Sequence, residues 1–331
     1  MLDVYFDPAY GKLYETIENG TCQCFTYESE IGSVQNMFIK RKVPFDLNGE
    51  RYYDIVTPYG YGGPVAQAMA DKSTLMSAYK RAFESYCKEN RIVSEFIRFH
   101  PLLENALDCS SYCEVCFSQN TVALDLTDSL YEMTQFRPEC RNMIRKAHKK
   151  GVIIRVDEQG DGINDFIALY YKTMEKNHAV DYYYFPKNYF SELVTAIKGG
   201  FVLFHALYRD TIIASSLFLL YDSYMHYHLS ATDPEWYAYA ANNLILSNAA
   251  AYGHKKGMKW LHLGGGITNR VDDLLFAFKR SFGKRDDNIR SFYIGKKIYN
   301  QQMYNILMEM RKADCKLPIQ DSFFPVYRSG L

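Results

Sequence analysis

The chain lacks net charge: across 331 residues, 38 Lys and Arg balance 38 Asp and Glu. That removes any global pull towards nucleic acid or a membrane surface, so an anionic partner must be met by a local patch. The N-terminus (MLDVYFDPAY) has no basic leader and no apolar core, and no signal peptide is expected. The longest apolar runs, such as residues 212–221 (IIASSLFLLY), are too short to span a bilayer. These absences predict a cytoplasmic protein, with its eight cysteines held as reduced thiols and not as a disulfide frame. Neither GxGxxG nor a P-loop is present, and Gly264–Gly266 reads as close backbone approach at a strand end. Cys109, Cys113 and Cys116 have the C-x3-C-x2-C spacing that can hold three irons of a four-iron cluster, or a zinc ion. The eight alternating strand–helix units of the barrel that usually carries such a cluster are missing. No metal and no redox cofactor are therefore expected.

What is present fits an ordinary globular protein: 48% hydrophobic and 23% charged residues, at a length that suits two domains. The 29 tyrosines can line a cleft or fill the space between sheet and helix. In the first half, residues 9–19 read as a helix stopped by Gly20, and 21–28 with 33–42 as a hairpin. A third strand covers 51–57, followed by a Gly-rich turn at 59–64 (YGYGGP). Ser73 is expected to cap a helix at 73–90, with Leu75, Met76, Tyr79, Phe83 and Tyr86 near helical spacing. Strands follow at 92–99 and 120–126.

The second half opens with a basic helix at 140–150 ended by Gly151, then a strand at 152–156 and helices at 163–178 and 187–198. Strands are expected at 201–208, 211–221, 224–231 and 259–263, with a helix at 242–256. A last strand near 289–294 and a helix at about 298–312 finish the pattern. Helix, Gly, hairpin, third strand, helix, strand occurs at 9–99 and again at 187–263, which points to a duplication. Mixed sheets flanked by helices are the expected architecture, an α/β (α+β) class.

Four segments carry a resemblance to a known family. They are Arg141-x-x-Ile144-Arg145-Lys146-Ala147-x-Lys149-x-Gly151; residues 173–190 (TMEKNHAVDYYYFPKNYF); residues 227–232 (YHLSAT) with the NNLILSNAAAYGHKKG that follows; and 261–266 (LHLGGG) with 272–283 (DDLLFAFKRSFG). In this order they resemble the FemABX peptidyltransferases of bacterial cell-wall synthesis, within the GNAT-type acyltransferases. The first half matches more loosely, through its TPYGYGGP turn and residues 96–101 (FIRFHP). The resemblance implies two tandem GNAT-like domains, an N-terminal one over 1–128, completed by a C-terminal helix in 297–331, and a second over 129–296. The long heptad-bearing insertion of some members is lacking, so the chain resembles the compact ones.

Such enzymes move an aminoacyl group from charged tRNA to an amine on a cell-wall precursor. The resemblance implies Lys279 at the acyl-transfer centre, stabilising charge, with Phe278 positioning the donor end. A solvated Lys on the FAFKRSFGKR face is the plain alternative. His100 stands where many relatives have Asp before Pro, and is a candidate base near neutral pH. Lys40, Arg41 and Lys187 are candidates for the acceptor's phosphates, and Tyr59 and Tyr61 for substrate binding. Arg141, Arg145 and Lys149 share a helix face that can meet RNA phosphates or simply face solvent. The expected partners are an aminoacyl-tRNA donor and an anionic glycan or cell-wall precursor, with peripheral contact to a lipid-linked precursor as a further expectation; DNA is not expected. An acyl-CoA-dependent N-acyltransferase is the nearest rival. The stretch SATDPEWYAYAANN, where a GNAT domain cradles pyrophosphate, has no Gly, and YGYGGP has no basic residue. A catalytically inactive binding module is the remaining alternative.

Overall fold

The computed structural model describes residues 3–68, 71–178, 180–314, 318–320 and 322–330. Ala179 and Cys315, both in segments considered above, lie outside the described residues. In chain order the helices are α1 (Pro8–Lys12), α2 (Lys72–Glu89), α3 (Tyr131–Thr134), α4 (Pro138–Lys149), α5 (Ile163–Lys176), α6 (Lys187–Ala196), α7 (Ala241–Lys255), α8 (Leu274–Arg280) and α9 (Gln301–Asp314). The strands are β1 (Gly20–Ser29), β2 (Gly32–Lys42), β3 (Tyr53–Val56), β4 (Val65–Ala68), β5 (Ile92–Arg98), β6 (Glu114–Asp125), β7 (Ile153–Asp157), β8 (Phe201–Tyr208), β9 (Thr211–Tyr221), β10 (Tyr224–Thr232), β11 (Trp260–Gly265) and β12 (Ile289–Ile298). Two compact units emerge: Met1–Val4 with Gln119–Arg290, and Tyr5–Ser118 with Ser291–Leu331.

In the unit of Tyr5–Ser118 and Ser291–Leu331 the strands run β1-β2-β3-β5-β12, with β4 on β2. β3 and β5 are parallel there. Helix α2 lays Leu75, Met76, Tyr79 and Phe83 against Val34, Phe38 and Ile55. Burying each such side chain contributes about 1.5–3 kcal/mol. Its cap is Asp71, not Ser73: the carboxylate accepts the Ser73 N–H at 2.9 Å. An acidic cap also suits the positive end of the helix dipole. Helix α9 packs with the C-terminal segment on β5 through Val43, Val93, Tyr304, Leu307 and Tyr327. The helix expected at 9–19 closes after Lys12 and continues as turns. Gly11 sits where a Cβ would come within 2.5 Å of Cys22 Sγ, so close approach to β1 takes precedence over helix propensity.

In the unit of Met1–Val4 and Gln119–Arg290 the strands run β6-β11-β10-β9-β8-β7. Strands β8 and β9 are buried along nearly their whole length, as expected of central strands covered on both faces. Val202, Phe204 and Ala206 of β8 join Leu244, Ile245 and Ala249 of α7 in the main core. Alternate residues face the other side, where Gly160 and Gly162 lie against Phe201 and His205.

Two pairings depart from chain order. β6 follows β5 in sequence but pairs antiparallel with β11. β12 follows β11, where it was expected as the second half's last strand, yet pairs antiparallel with β5. Edge pairing is decided by which strand satisfies the neighbouring N–H and C=O row, which local sequence does not specify. Three further elements, α3, β4 and α8, had no counterpart in the sequence reading. Among the described residues no helix is long and apolar enough to cross a membrane.

Candidate active site

β10 and β11 are parallel neighbours only from Tyr224–His226 against Trp260–His262, after which no pairing continues. Each carries one extra residue just past that point. On β10, Tyr227 pairs with Phe218 and Leu229 with Leu217, leaving His228 as the bulged residue. On β11, His262 pairs with Ala123 and Gly264 with Val122, leaving Leu263. Bulges bend a strand and re-aim side chains, so the two strands part here into a splay.

Lys279 of α8 fills this splay. Its Nζ donates to the carbonyl of Gly265 at 2.7 Å and lies 5.8 Å from the Tyr227 ring centre. The side chain is buried, not solvated. Burial pushes its ammonium down to about 8, with the nearby Asp273 carboxylate pulling the other way. Phe278 packs on the core with its ring 5.6 Å from Phe282.

The loop from Gly265 to α8 is built on one carboxylate. Asp273 Oδ2 accepts N–H from Ile267 at 3.0 Å and Thr268 at 2.8 Å, and the Thr268 hydroxyl at 3.1 Å. Its Oδ1 caps α8 through the Phe276 N–H at 2.8 Å. These bonds hold Asp273 below the usual carboxylate range although burial works against them. A Cβ at Gly266 would sit 2.4 Å from Asp273 Oδ1, which explains the last glycine of the triplet. Gly264 has φ of +73°, which explains the first. Asp273→Ala should cost about 1–2 kcal/mol of stability and loosen the segment that presents Lys279. Urea unfolding checks the first expectation, and faster amide exchange at 267–276 checks the second.

Several groups at the splay had gone unnoticed in the sequence. Tyr189 OH and His228 Nε2 lie 3.0 Å apart. Burial, and then His226, push His228 down to about 3, so it is neutral at pH 7. Ser216 and Ser230 hydroxyls are 2.9 Å apart beside the half-buried Tyr227. Gln119 lies against Gly265, and its Oε1 is buried without a hydrogen-bond partner among the described residues. At the closed end of the splay, His226 Nε2 is 2.8 Å from Asp3 and its Nδ1 3.4 Å from His262 Nδ1, all buried. The only sequence signal for Tyr227, His228, Ser230 and His262 was their place in the YHLSAT and LHLGGG segments, and His226 lies outside both.

The other candidates lie elsewhere. Lys187 is exposed at the start of α6. Arg141 folds back on its own helix start, donating to Phe136 O at 2.7 Å and Glu132 O at 3.3 Å. Arg145 and Lys149 stay exposed.

In the other unit, Tyr61 packs edge-on against His100, with ring centres 5.7 Å apart. The backbone carbonyl of Tyr59 accepts from Tyr10 OH at 2.7 Å. His100 is fully buried, and its Nδ1 accepts the Leu102 and Leu103 N–H groups at 3.2 and 3.1 Å. Lys40 donates to Asn90 Oδ1 at 3.0 Å and lies 4.4 Å over the Tyr53 ring. Arg41 bridges Glu18 at 2.6 Å and Asp54 at 2.8 Å, so its charge is satisfied inside the fold. Cys109 and Cys113 are buried and Cys116 partly so, and the seven described cysteines are free. Burial pushes the Cys109 thiol well up and the Cys113 thiol up to about 12, which disfavours the thiolates that metals need.

Residues 134–280 match the sequence profile of the Acetyltransferase (GNAT) domain. No curated protein sequence matches the chain at a significant level. Among solved structures, the chain is similar to FemX with a TM-score of 0.67 at 14% identity, over 92% of this chain and 94% of that one. It is similar to L-PGS from Bacillus licheniformis with a TM-score of 0.52 at 11% identity, over 92% and 96%. At such identities the likeness is one of fold. The chain thus has a mixed α/β fold of tandem GNAT-like domains, with residues 134–280 matching the GNAT domain itself.

Proposed function

We propose that the chain is an aminoacyltransferase of the FemABX kind, moving an aminoacyl group from charged tRNA to an amine of an anionic cell-wall or cell-surface glycan precursor. The observation that carries this reading is Lys279, a buried ammonium held at the end of β11 inside a strand splay.

The neutral amine attacks the ester carbonyl carbon and a C–N bond forms. The carbonyl π electrons move onto oxygen, and the Lys279 ammonium is assigned to that oxyanion. Collapse re-forms the carbonyl and breaks the ester C–O bond. The amine's proton goes to the departing ribose hydroxyl. Gln119 Oε1 is assigned to an N–H of the attacking amine, and Phe278 to the donor end. His100 is kept as the candidate base, with two backbone N–H groups held on its Nδ1. Lys40, Lys187, Tyr59 and Tyr61 are assigned to the acceptor, and Arg145 and Lys149 to RNA phosphate. Arg41 and Arg141 are better explained by their internal partners.

An assay of acyl transfer with charged tRNA and, separately, acyl-CoA donors tests the proposal. Transfer from tRNA alone supports it. Transfer from acyl-CoA alone favours the second reading, an N-acyltransferase acting on an amino sugar or polysaccharide precursor. That reading draws on the GNAT match and on α7, which starts after β10 with no side-chain cap on its N–H groups. Acceptor binding without turnover from either donor would leave a binding module. Lys40→Met should raise the acceptor's KM about three- to tenfold and leave kcat unchanged, as expected for a charge that anchors phosphate in ground and transition states alike. Steady-state kinetics with varied acceptor measure this, and a fall in kcat instead would reassign Lys40.

A further inference from the structure

Arg98, at the end of β5, is a half-buried cation without an acid. Its Nη1 is buried and has no hydrogen-bond partner among the described residues. Neither Arg98 nor Lys296 of β12 makes an ion pair among them. Other cations of the same unit are neutralised from within: Arg41 and Arg328 share Asp54, and Lys297 holds Glu84 at 2.9 Å. A buried charged donor left unpaired is costly and calls for an explanation.

The strand register sets the two cations side by side. In the antiparallel pair of β5 and β12, Arg98 stands opposite Ile294 and Phe96 opposite Lys296. Opposite residues share a sheet face, so these four point to one side and Lys297 to the other. Arg98 and Lys296 are diagonal neighbours on that face, about 7–8 Å apart and within reach of long side chains. Rings form the floor beneath them. The Arg98 guanidinium lies 5.2 Å from the Phe96 ring centre, Lys296 Nζ lies 6.0 Å from that of Phe324, and the two rings are 6.5 Å apart. Tyr61 borders the same face against Phe292, with ring centres 5.3 Å apart. Burial and then Tyr59 push its phenol up while the Arg98 charge pulls it down, so it stays a protonated donor. Like charges held together cost free energy that a bound anion relieves.

We propose that Arg98 and Lys296, above the floor of Phe96 and Phe324 and bordered by Tyr61, bind a phosphate group. The planar guanidinium fork matches two phosphate oxygens, and the ammonium meets a third as a point charge. A phosphate monoester carries about −1.5 to −2 charge at neutral pH, which two cations neutralise; a single carboxylate leaves one of them unmatched. The place differs from that of Lys40, which lies over Tyr53 beside Asn90, before the start of β5. A phosphate carried by the acceptor would fix that substrate on this unit. That last step rests on the acyl-transfer reading; the phosphate site itself does not.

The test is isothermal titration of the full chain with inorganic phosphate at constant ionic strength, with acetate as the carboxylate control. Wild type should bind phosphate saturably and more tightly than acetate. Arg98→Met and Lys296→Met should each weaken phosphate binding about tenfold or more. Lys297→Met, on the opposite face, should bind as wild type does. Phosphate should raise the melting temperature of wild type and leave that of Lys296→Met unchanged. Should Arg98→Met fail to fold, Lys296→Met decides alone. Absence of saturable phosphate binding, undiminished binding by Lys296→Met, or acetate bound as tightly as phosphate overturns the proposal. In the transfer assay, inorganic phosphate should compete with the acceptor and raise its KM. A phosphate that binds the chain but leaves that KM unchanged overturns the acceptor step and leaves the site. The titration is read without donor or acceptor, so failure of the transfer assay leaves its result standing, and the reverse holds too.

Discussion

Lys279→Met lowers kcat by about a hundredfold or more, equivalent to roughly 3–4 kcal/mol of lost transition-state stabilisation. An ammonium stabilises an oxyanion more than the neutral ester that precedes it, so the loss falls on kcat and not on acceptor affinity. The pH profile carries a second signature. Burial holds Lys279 near 8, and the active form is the protonated one. Wild-type activity therefore falls as pH rises through about 8, and the variant's residual activity lacks that limb. The variant stays folded. Because Lys279 titrates below the 10.5 of an exposed Lys, the folded chain holds this proton less tightly than the unfolded chain. At neutral pH the buried charge costs about 3 kcal/mol, and that cost disappears as pH rises from about 8 to above 10.5. Met removes the charge but leaves the Gly265 carbonyl without its donor, a loss of about 1–3 kcal/mol. The melting temperature should hold steady or rise. Full turnover with the true donor, or an unchanged alkaline limb, would rule out this assignment.

The sequence made the periodic elements readable and left their partners hidden. The all-apolar runs of β8 and β9 and the amphipathic spacing of α2 state their own conformation, because burial pattern follows geometry along a single element. The exchange of β6 and β12 is different: each strand is well formed, and nothing in its letters says which edge it joins. Helix α8 was missed because LLFAF reads as a short apolar run, while its cap, Asp273, was seen only as part of a motif. The site divides in the same way. Lys279 was singled out through a resemblance that carried no sign of its burial, because burial comes from Gly265 on β11 and Tyr227 on β10. Gln119 and the Tyr189–His228 pair depend on contacts across 146 and 39 residues respectively, and no local pattern announces them. Arg41 shows the opposite error. A basic residue at a strand end looked available, and its acids came from residues 13 and 23 positions away.

Those acids lead to the largest expected change in stability. Asp54 is fully buried on β3. Its Oδ1 accepts from Arg41 Nε at 2.8 Å, and its Oδ2 from Arg328 Nε at 2.5 Å and Tyr327 OH at 3.1 Å. One carboxylate thus ties β2 to the C-terminal segment, and Arg328 also donates to Lys42 O at 2.5 Å. Asp54→Ala leaves a largely buried Arg41 with only Glu18 and strips Arg328 and Tyr327 of a shared acceptor. Removing one partner from a buried charged network costs about 3–5 kcal/mol, because the remaining charges stay desolvated. For a unit of this size that is a fall in melting temperature of roughly 10 °C. Asp54→Asn keeps one acceptor oxygen and should lose less. Arg41→Met should destabilise as well, whereas Lys40→Met, its neighbour in sequence, should not. The C-terminal segment should also become sensitive to limited proteolysis in Asp54→Ala, since Tyr327 and Arg328 lose their anchor. Differential scanning calorimetry of the four variants decides the matter. If Asp54→Ala and Arg41→Met melt with wild type, the network is not what holds the tail, and Arg41 returns to the candidates for binding an anionic acceptor.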